Sequence, residues 1–235
     1  MKVAIVAPVN YLKEYCLLTD FQLCYADIYK WQKPYRDFYL DRKNKGDTLI
    51  LDFSAKMPRK APNEREYFCA LNELMPTYLV LPDVDFSLEK TVRLTKKYLS
   101  RIDSSIQLIV NLQGQNTDSV YECYRIVRDY SNVIGLPAAL EKVIDRSILI
   151  RDFGITEEKC IFLEIYKNPR LELAFLPNVL GVGTSYPVRL GLDLRSLSEH
   201  YPTPPPLDFL SDKNPMPELV LENIYKFLEY CGIDT

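Results

Sequence analysis

Three apolar runs decide the fold of this chain: TLILDF at Thr48–Phe53, YLVLPDV at Tyr78–Val84 and IQLIVNL at Ile106–Leu112. Each run is rich in leucine, isoleucine and valine and carries few polar residues before its end. Continuous apolar runs of this length are typical of parallel strands that are buried on both faces. The three runs therefore predict neighbouring strands of a parallel sheet covered by helices.

Helical patterns lie between these runs. Helix starts are expected at Asn63, Ser87 and Asp118, since short polar residues are favoured N-caps. Phe68, Leu71 and Met75 are predicted to form the apolar face of the first of these helices. Alternation of strand and helix is typical of βα units in a parallel sheet.

The same alternation continues outward in both directions. Four further strands are predicted at Val3–Val9, Val133–Leu136, Cys160–Ile165 and Val179–Val182. Two further helices are expected, one marked by Leu140, Ile144 and Ile148 and a last one at about Pro217–Cys231. The aromatic-rich stretch Tyr11–Arg42 gives no clear period and is interpreted as a helix plus an excursion. The proline-rich segment Tyr201–Asp208 is expected to pack as an extended strap.

Seven visible strands in 235 residues favour a closed barrel over an open sheet. A (β/α)8 barrel typically needs about 250 residues, which leaves little chain for further domains. The fold class predicted is therefore α/β, a single compact (β/α)8 TIM-like barrel, with residues 1–235 as one catalytic domain.

Composition limits the classes of function. The formal net charge is −3 and the pI about 5.4, so any surface that binds nucleic acid must be local. The six cysteines form no C-x-x-C pair, and His200 is the single histidine, so we expect no zinc site, no other metal and no cofactor. The start MKVAIVAPVN is interpreted as a strand rather than a signal peptide, and no run of 18 apolar residues suggests a membrane span. A cytoplasmic location is expected.

Polar residues stand where three of the strands end. Asp52 lies near the end of the first quoted run and Asp83 near the end of the second, and Gln113 and Gly114 directly follow the third. In a parallel barrel the strand ends form the active-site face, and a carboxylate at the end of an apolar strand is partly desolvated, which suits it to proton transfer. Cleavage at an anomeric carbon needs two such groups. The alternative is that Asp52 and Asp83 cap turns or pair with an arginine.

Two stretches are candidates for binding phosphate. In Val179–Ser196, Arg189 and Arg195 lie close to small polar residues, although pairing with Asp193 or Glu199 is an equally good interpretation. The loop after Asp52 is basic and would place positive charge beside the site, where a DNA backbone would run. Its basic residues are Lys56, Arg59, Lys60 and Arg65.

The order of the strand-end motifs LILDFSA, YLVLPDV, VNLQGQ and VIGLP resembles that of the tRNA-guanine transglycosylase superfamily. The similarity is greatest to its DNA-acting branch, the DpdA-like transglycosylases that exchange guanine for deazaguanines and a related anti-phage DNA glycosylase. It covers roughly residues 48–196. Each motif is short, so the specificity lies in their order and spacing.

The resemblance implies roles for particular residues. Asp52 matches the aspartate of the family's D-S-G-like strand end, which contacts the base or transfers a proton. Asp83 matches the carboxylate that recognises the base edge, and Gln113-Gly114 matches the pair that contacts the base. Gly135 matches the glycine of the next strand.

The chain also departs from the family. It lacks the Cys/His zinc site of the tRNA enzymes. The covalent aspartate of the family would fall near Gly183 if the late strand is VLGVGTS, or at Ser196 if that strand is LGLDLRS, where the nearest carboxylate is Asp193. Loss of that nucleophile favours hydrolysis over base exchange.

These observations favour a DNA glycosylase that flips a modified base out of DNA and leaves an abasic site, in the setting of anti-phage defence. The partner expected is DNA, without a membrane. Asp52 and Asp83 are the predicted catalytic residues. Base exchange with Asp193 as nucleophile, a catalytically silent nucleic-acid-binding barrel, and an unrelated barrel enzyme on a phosphorylated substrate are the alternatives.

Overall fold

The chain forms a nearly closed barrel of eight parallel strands alternating with helices, which confirms the predicted (β/α)8 TIM-like fold. The computed structural model describes residues 1–53, 64–154, 159–166, 169–173, 179–197 and 204–234. The strands are β1 (Lys2–Ile5), β2 (Phe21–Tyr25), β3 (Thr48–Asp52), β4 (Tyr78–Val80), β5 (Gln107–Asn111), β6 (Val133–Pro137), β7 (Cys160–Leu163) and β8 (Gly181–Thr184).

Helices follow the strands and cover the outside of the barrel. They are α1 (Leu12–Tyr15), α2 (Ala26–Trp31), α3 (Lys33–Asn44), α4 (Glu64–Leu74), α5 (Leu88–Leu99), α6 (Thr117–Val127), α7 (Arg146–Phe153), α8 (Pro169–Leu173), α9 (Tyr186–Leu192) and α10 (Pro217–Tyr230). Among the described residues, no helix is long and apolar enough to cross a membrane.

Hydrogen-bonded ladders link the strands in the order β1-β8-β7-β6-β5-β4-β3-β2. The remaining two edges, β1 and β2, lie side by side, and the part of the chain described here forms no ladder between them. All seven ladders are parallel. Every strand therefore ends at the same rim, which we call the mouth of the barrel.

The strand β2 lies inside the stretch Tyr11–Arg42, where the sequence pattern predicted none. Gln22 interrupts its apolar run but is buried, and its amide donates to the carbonyls of Cys16 at 2.9 Å and Thr19 at 2.6 Å. A glutamine whose side-chain NH2 group is bound by carbonyls of the preceding turn can occupy a buried strand position. The apolar pattern of this strand was therefore hidden by one buried polar residue.

Two further details of the sequence prediction are wrong. Met75 lies beyond α4 with a φ of 48° and is half exposed, so it does not belong to the apolar face. The helix expected around Leu140, Ile144 and Ile148 is two elements, a 3-10 helix at Ala138–Lys142 and then α7. The second element begins separately because the Asp145 side chain is its N-cap and accepts a hydrogen bond from the Ser147 N–H. The expected cap Asn63 lies outside the described residues.

Register and ring contacts show which side chains face the barrel interior. Phe21 on β2 packs edge-to-face with Tyr78 on β4, two strands away, at a ring distance of 6.4 Å. A Cβ placed on Gly183 of β8 would lie 2.8 Å from Leu23 of β2. Since strand side chains alternate between faces, the residues in register with these positions face inward. Asp52, Asn111 and Gly135 are among them.

A buried arginine joins the ends of β6 and β7. The guanidinium of Arg146 donates to the carbonyls of Leu136 at 2.9 Å and Glu164 at 3.0 Å and stacks over the Phe162 ring at 4.4 Å. It also binds the carboxylates of Glu141 and Glu172. The side chain of Arg146 is only 1% exposed. A buried cation with this set of partners fixes the strand ends relative to α7 and α8.

Replacing Arg146 by methionine is expected to lower the free energy of unfolding by about 3–5 kcal/mol, because two nearly buried carboxylates lose their cation. For a chain of this size, that corresponds to a fall in melting temperature of roughly 6–20 °C, measurable by calorimetry. Arg151→Met is the control, since Arg151 on the same helix is 74% exposed. Equal melting temperatures for the two variants would contradict a structural role for Arg146.

Candidate functional site

The predicted residues Asp83 and Gln113 meet at the mouth. Their strands β4 and β5 are neighbours, and Gln113 Nε2 donates to Asp83 Oδ2 at 2.5 Å. The backbone N–H of Phe86 donates to Gln113 Oε1 at 2.9 Å, which fixes the orientation of the amide. Gln113 is buried. Asp83 and Gln113 are therefore in direct contact at the ends of neighbouring strands.

Asp52 lies on the next strand toward β2, at the last residue of β3, and faces inward. The phenol of Tyr67 donates to the carbonyl of Val80 at the end of β4. Burial raises the pKa of Tyr67, and the charge on Asp52 raises it further. The charge of Asp52 thus affects the phenol of Tyr67, which is bound at the end of β4, close to the turn that carries Asp83.

Tyr25 lies in register with Asp52 and is surrounded by charge. Burial raises its pKa well above the usual value, and the carboxylates of Asp52, Glu164 and Asp27 raise it further, whereas Arg189 lowers it. All four groups therefore lie within electrostatic reach of one phenol. Tyr25 stays protonated at neutral pH and is available as a hydrogen-bond donor in the mouth.

Glu164 is a second carboxylate in this region that the sequence analysis did not identify. It directly follows β7 and has a φ of 73°, a conformation that is uncommon for a residue other than glycine. Thr184 Oγ1 donates to its Oε1 at 2.5 Å, and Ser185 donates to its Oε2 from both Oγ and N. Because Glu164 follows an apolar run as Asp52 does, the criterion of polar strand ends could have found it.

Two of the predicted glycines have packing roles. A Cβ on Gly114 would lie 2.6 Å from the backbone N of Val120, so this glycine is needed where α6 begins. A Cβ on Gly135 would lie 2.0 Å from Asn111 Oδ1, so Gly135 makes room for that side chain in the barrel interior. Asn111 is buried, and its Oδ1 has no partner among the described residues.

The predicted phosphate-binding arginines are already engaged. Arg189 is 11% exposed; its Nη1 lies 3.5 Å from Glu164 Oε2, and its Nη2 donates to the carbonyl of Pro204. Arg195 pairs with Asp193 at 3.0 Å, which is the alternative that the sequence left open. The basic residues Lys56, Arg59 and Lys60 lie outside the described residues, and Arg65 is exposed on α4.

Asp193 does not end a strand. The segment LGLDLRS forms the end of α9 and the turn after it, whereas the strand of this region is β8, within VLGVGTS. The seven residues of α9 carry the chain roughly 10 Å from the end of β8. This separation disfavours Asp193 as a reacting group.

The segment before α10 crosses the mouth. The Val9 N–H donates to the carbonyl of Phe209 at 2.9 Å, and the ring of Phe209 packs edge-to-face on Tyr25 at 5.5 Å. Arg189 binds the carbonyl of Pro204 in the same segment. The described part of the predicted strap therefore covers the side of the mouth that holds Tyr25 and Arg189.

Gly114→Ala is expected to lower the free energy of unfolding by about 1–3 kcal/mol, because its Cβ meets the backbone of α6 and the helix must move. Gly135→Ala is the comparison, since the atom nearest its Cβ belongs to the Asn111 side chain, which can rotate. Urea unfolding of both variants measures the difference. A greater loss in Gly135→Ala would contradict this assignment.

The chain matches no family model and no curated protein.

Proposed function

We propose that this protein is a DNA glycosylase, which hydrolyses the N-glycosidic bond of a modified base and leaves an abasic site. The observation that carries the proposal is the hydrogen-bonded pair Asp83–Gln113 on neighbouring strands, next to the inward carboxylate of Asp52. This arrangement offers one set of polar groups for a base edge and a separate carboxylate for the bond to be cut. An anti-phage role follows from the family resemblance alone.

Base recognition is assigned to Asp83, with Gln113 beside it. The amide of Gln113 is oriented by the Phe86 N–H, so its NH2 group faces Asp83. The NH2 group has two hydrogens, so one remains for an acceptor on the base while Asp83 accepts from a base N–H. A donor beside an acceptor matches the edge of a nucleobase, and a flipped base costs a few kcal/mol of unstacking that such contacts offset.

Bond cleavage is assigned to Asp52. Asp52 takes a proton from water as the water oxygen attacks C1′ of the sugar. The C1′–N bond breaks, its electron pair leaves with the base, and the base nitrogen takes up a proton from solvent. Tyr25, in register with Asp52, supplies a neutral donor to the same space.

The geometry favours hydrolysis over exchange of bases. Exchange needs a carboxylate that bonds to the sugar and holds it until a second base arrives. Asp193, the nucleophile considered for exchange, pairs with Arg195 beyond α9 rather than facing the mouth. A catalytically silent barrel would not need an inward carboxylate at the end of β3, so Asp52 favours an enzyme.

The test is an assay of modified DNA with the wild type and two aspartate variants. Mass spectrometry of free bases released from a panel of phage genomic DNAs finds the substrate, and alkali-labile sites confirm hydrolysis. Asp52→Asn should lower the single-turnover rate at least about a hundredfold while binding stays nearly intact, because the proton acceptor is lost.

Asp193→Asn is the matched control and should lower the rate much less, since Asp193 serves as an ion-pair partner. Full activity in Asp52→Asn would show that the wrong carboxylate has been assigned. A protein–DNA adduct on a denaturing gel that disappears with Asp193→Asn would instead establish base exchange.

A further inference from the structure

Glu164 occupies a strained position at the end of β7. Its φ of 73° lies in the left-handed region, which costs a residue other than glycine about 1–3 kcal/mol. The conformation is held from both sides, because the Glu164 N–H donates to Gly183 O at 2.7 Å and its carbonyl accepts from Arg146. Such strain persists where the surroundings over-determine it, and it concentrates at functional sites.

The carboxylate of Glu164 is fixed by donors from the neighbouring strand. The hydroxyl groups of Thr184 and Ser185 donate to it, and so do the backbone N–H groups of Ser185 and Ile165. The side chain of Glu164 is still 30% exposed. The group is therefore preorganised while part of it stays open to a ligand, as electrostatic catalysis requires.

Arg189 neutralises the negative charge of Glu164 only in part. Its Nη1 lies 3.5 Å from Glu164 Oε2, longer than the roughly 2.7–2.9 Å of a charge-assisted hydrogen bond. Its other amino group is engaged by the carbonyl of Pro204. Arg189 thus orients the carboxylate and leaves negative charge to act on a ligand.

Glu164 and Asp52 stand on opposite sides of the mouth. β3 and β7 are four places apart in the eight-stranded barrel, so their ends face each other across it. Both carboxylates act on the phenol of Tyr25. A ligand in the mouth therefore has one carboxylate on each side.

We propose that Glu164 is the second catalytic carboxylate, and that it faces a pentose N-glycoside and stabilises the positive charge of the sugar as its bond to the base breaks. The inference rests on the proposed glycosidic cleavage. Asp52 takes the proton of the attacking water, as above, and Glu164 forms no bond. Thr184 and Ser185 are positioning residues that hold its carboxylate.

The first measurement is single-turnover cleavage by Glu164→Gln, which keeps the shape and removes the charge. The rate should fall about a hundredfold or more with little change in DNA binding or melting temperature. Glu141→Gln is the control, because Glu141 binds the same Arg146 but belongs to the structural cluster. Ser185→Ala should lower the rate less than Glu164→Gln.

The second measurement needs no turnover. Fluorescence anisotropy compares two oligonucleotides, one with a cationic pyrrolidine and one with a neutral tetrahydrofuran in place of the target sugar. The wild type should prefer the cationic probe about tenfold or more, through one charge–charge contact. Glu164→Gln should lose this preference and bind the neutral probe as the wild type does.

The outcomes separate the two proposals. If the wild type releases no base and binds neither probe, the proposed function is wrong and this inference falls with it. If the wild type releases base, but Glu164→Gln keeps its rate or its preference for the cationic probe, only the role of Glu164 is wrong. A fall in melting temperature together with equal losses in Glu164→Gln and Glu141→Gln would assign Glu164 to structure.

Discussion

Side chains alternate along each strand of a parallel barrel, and all strands end at the same rim. This constraint decides which residues of the chain can act together. The rings of Phe21 and Tyr78 face inward. Tyr25 lies an even number of residues from Phe21, and Asp52 lies an even number of residues from the register partner of Tyr78, so both also face inward. A shift of one residue in any of these strands would turn the carboxylate toward the helices.

The mouth depends on a second layer of contacts just beneath it. Arg146 binds the carbonyls at the ends of β6 and β7, so the strained backbone of Glu164 is part of a buried ionic cluster. On the other side of the mouth, Gln113 has a similar structural role, because its amide accepts from the Phe86 N–H and donates to Asp83. In both places a buried polar group positions a more exposed carboxylate. Polar groups in such positions are costly unless every partner is present, which makes them rigid supports.

Charge is distributed unevenly around the mouth. Three carboxylates, those of Asp52, Glu164 and Asp27, act on Tyr25, and Arg189 is the cation that opposes them. A negative mouth suits a reaction that develops positive charge on its substrate, as cleavage of a glycosidic bond does. It does not suit the DNA backbone, so contacts to phosphate must come from outside this ring of residues.

The sequence by itself determined seven of the eight strands and about half of the helices, since apolar runs and their period depend on local burial alone. It also identified Asp52, Asp83 and Gln113, because a polar residue at the end of an apolar run is visible without any neighbour. It did not reveal β2, where Gln22 breaks the pattern and the carbonyls that bind its NH2 group are known only from the fold. The position of Glu164 after an apolar run is visible in the sequence, but only the tertiary structure shows that its carboxylate is fixed by Thr184 and Ser185, twenty residues later in the chain. Contacts between distant strands are set by closure of the barrel, and no local period encodes them.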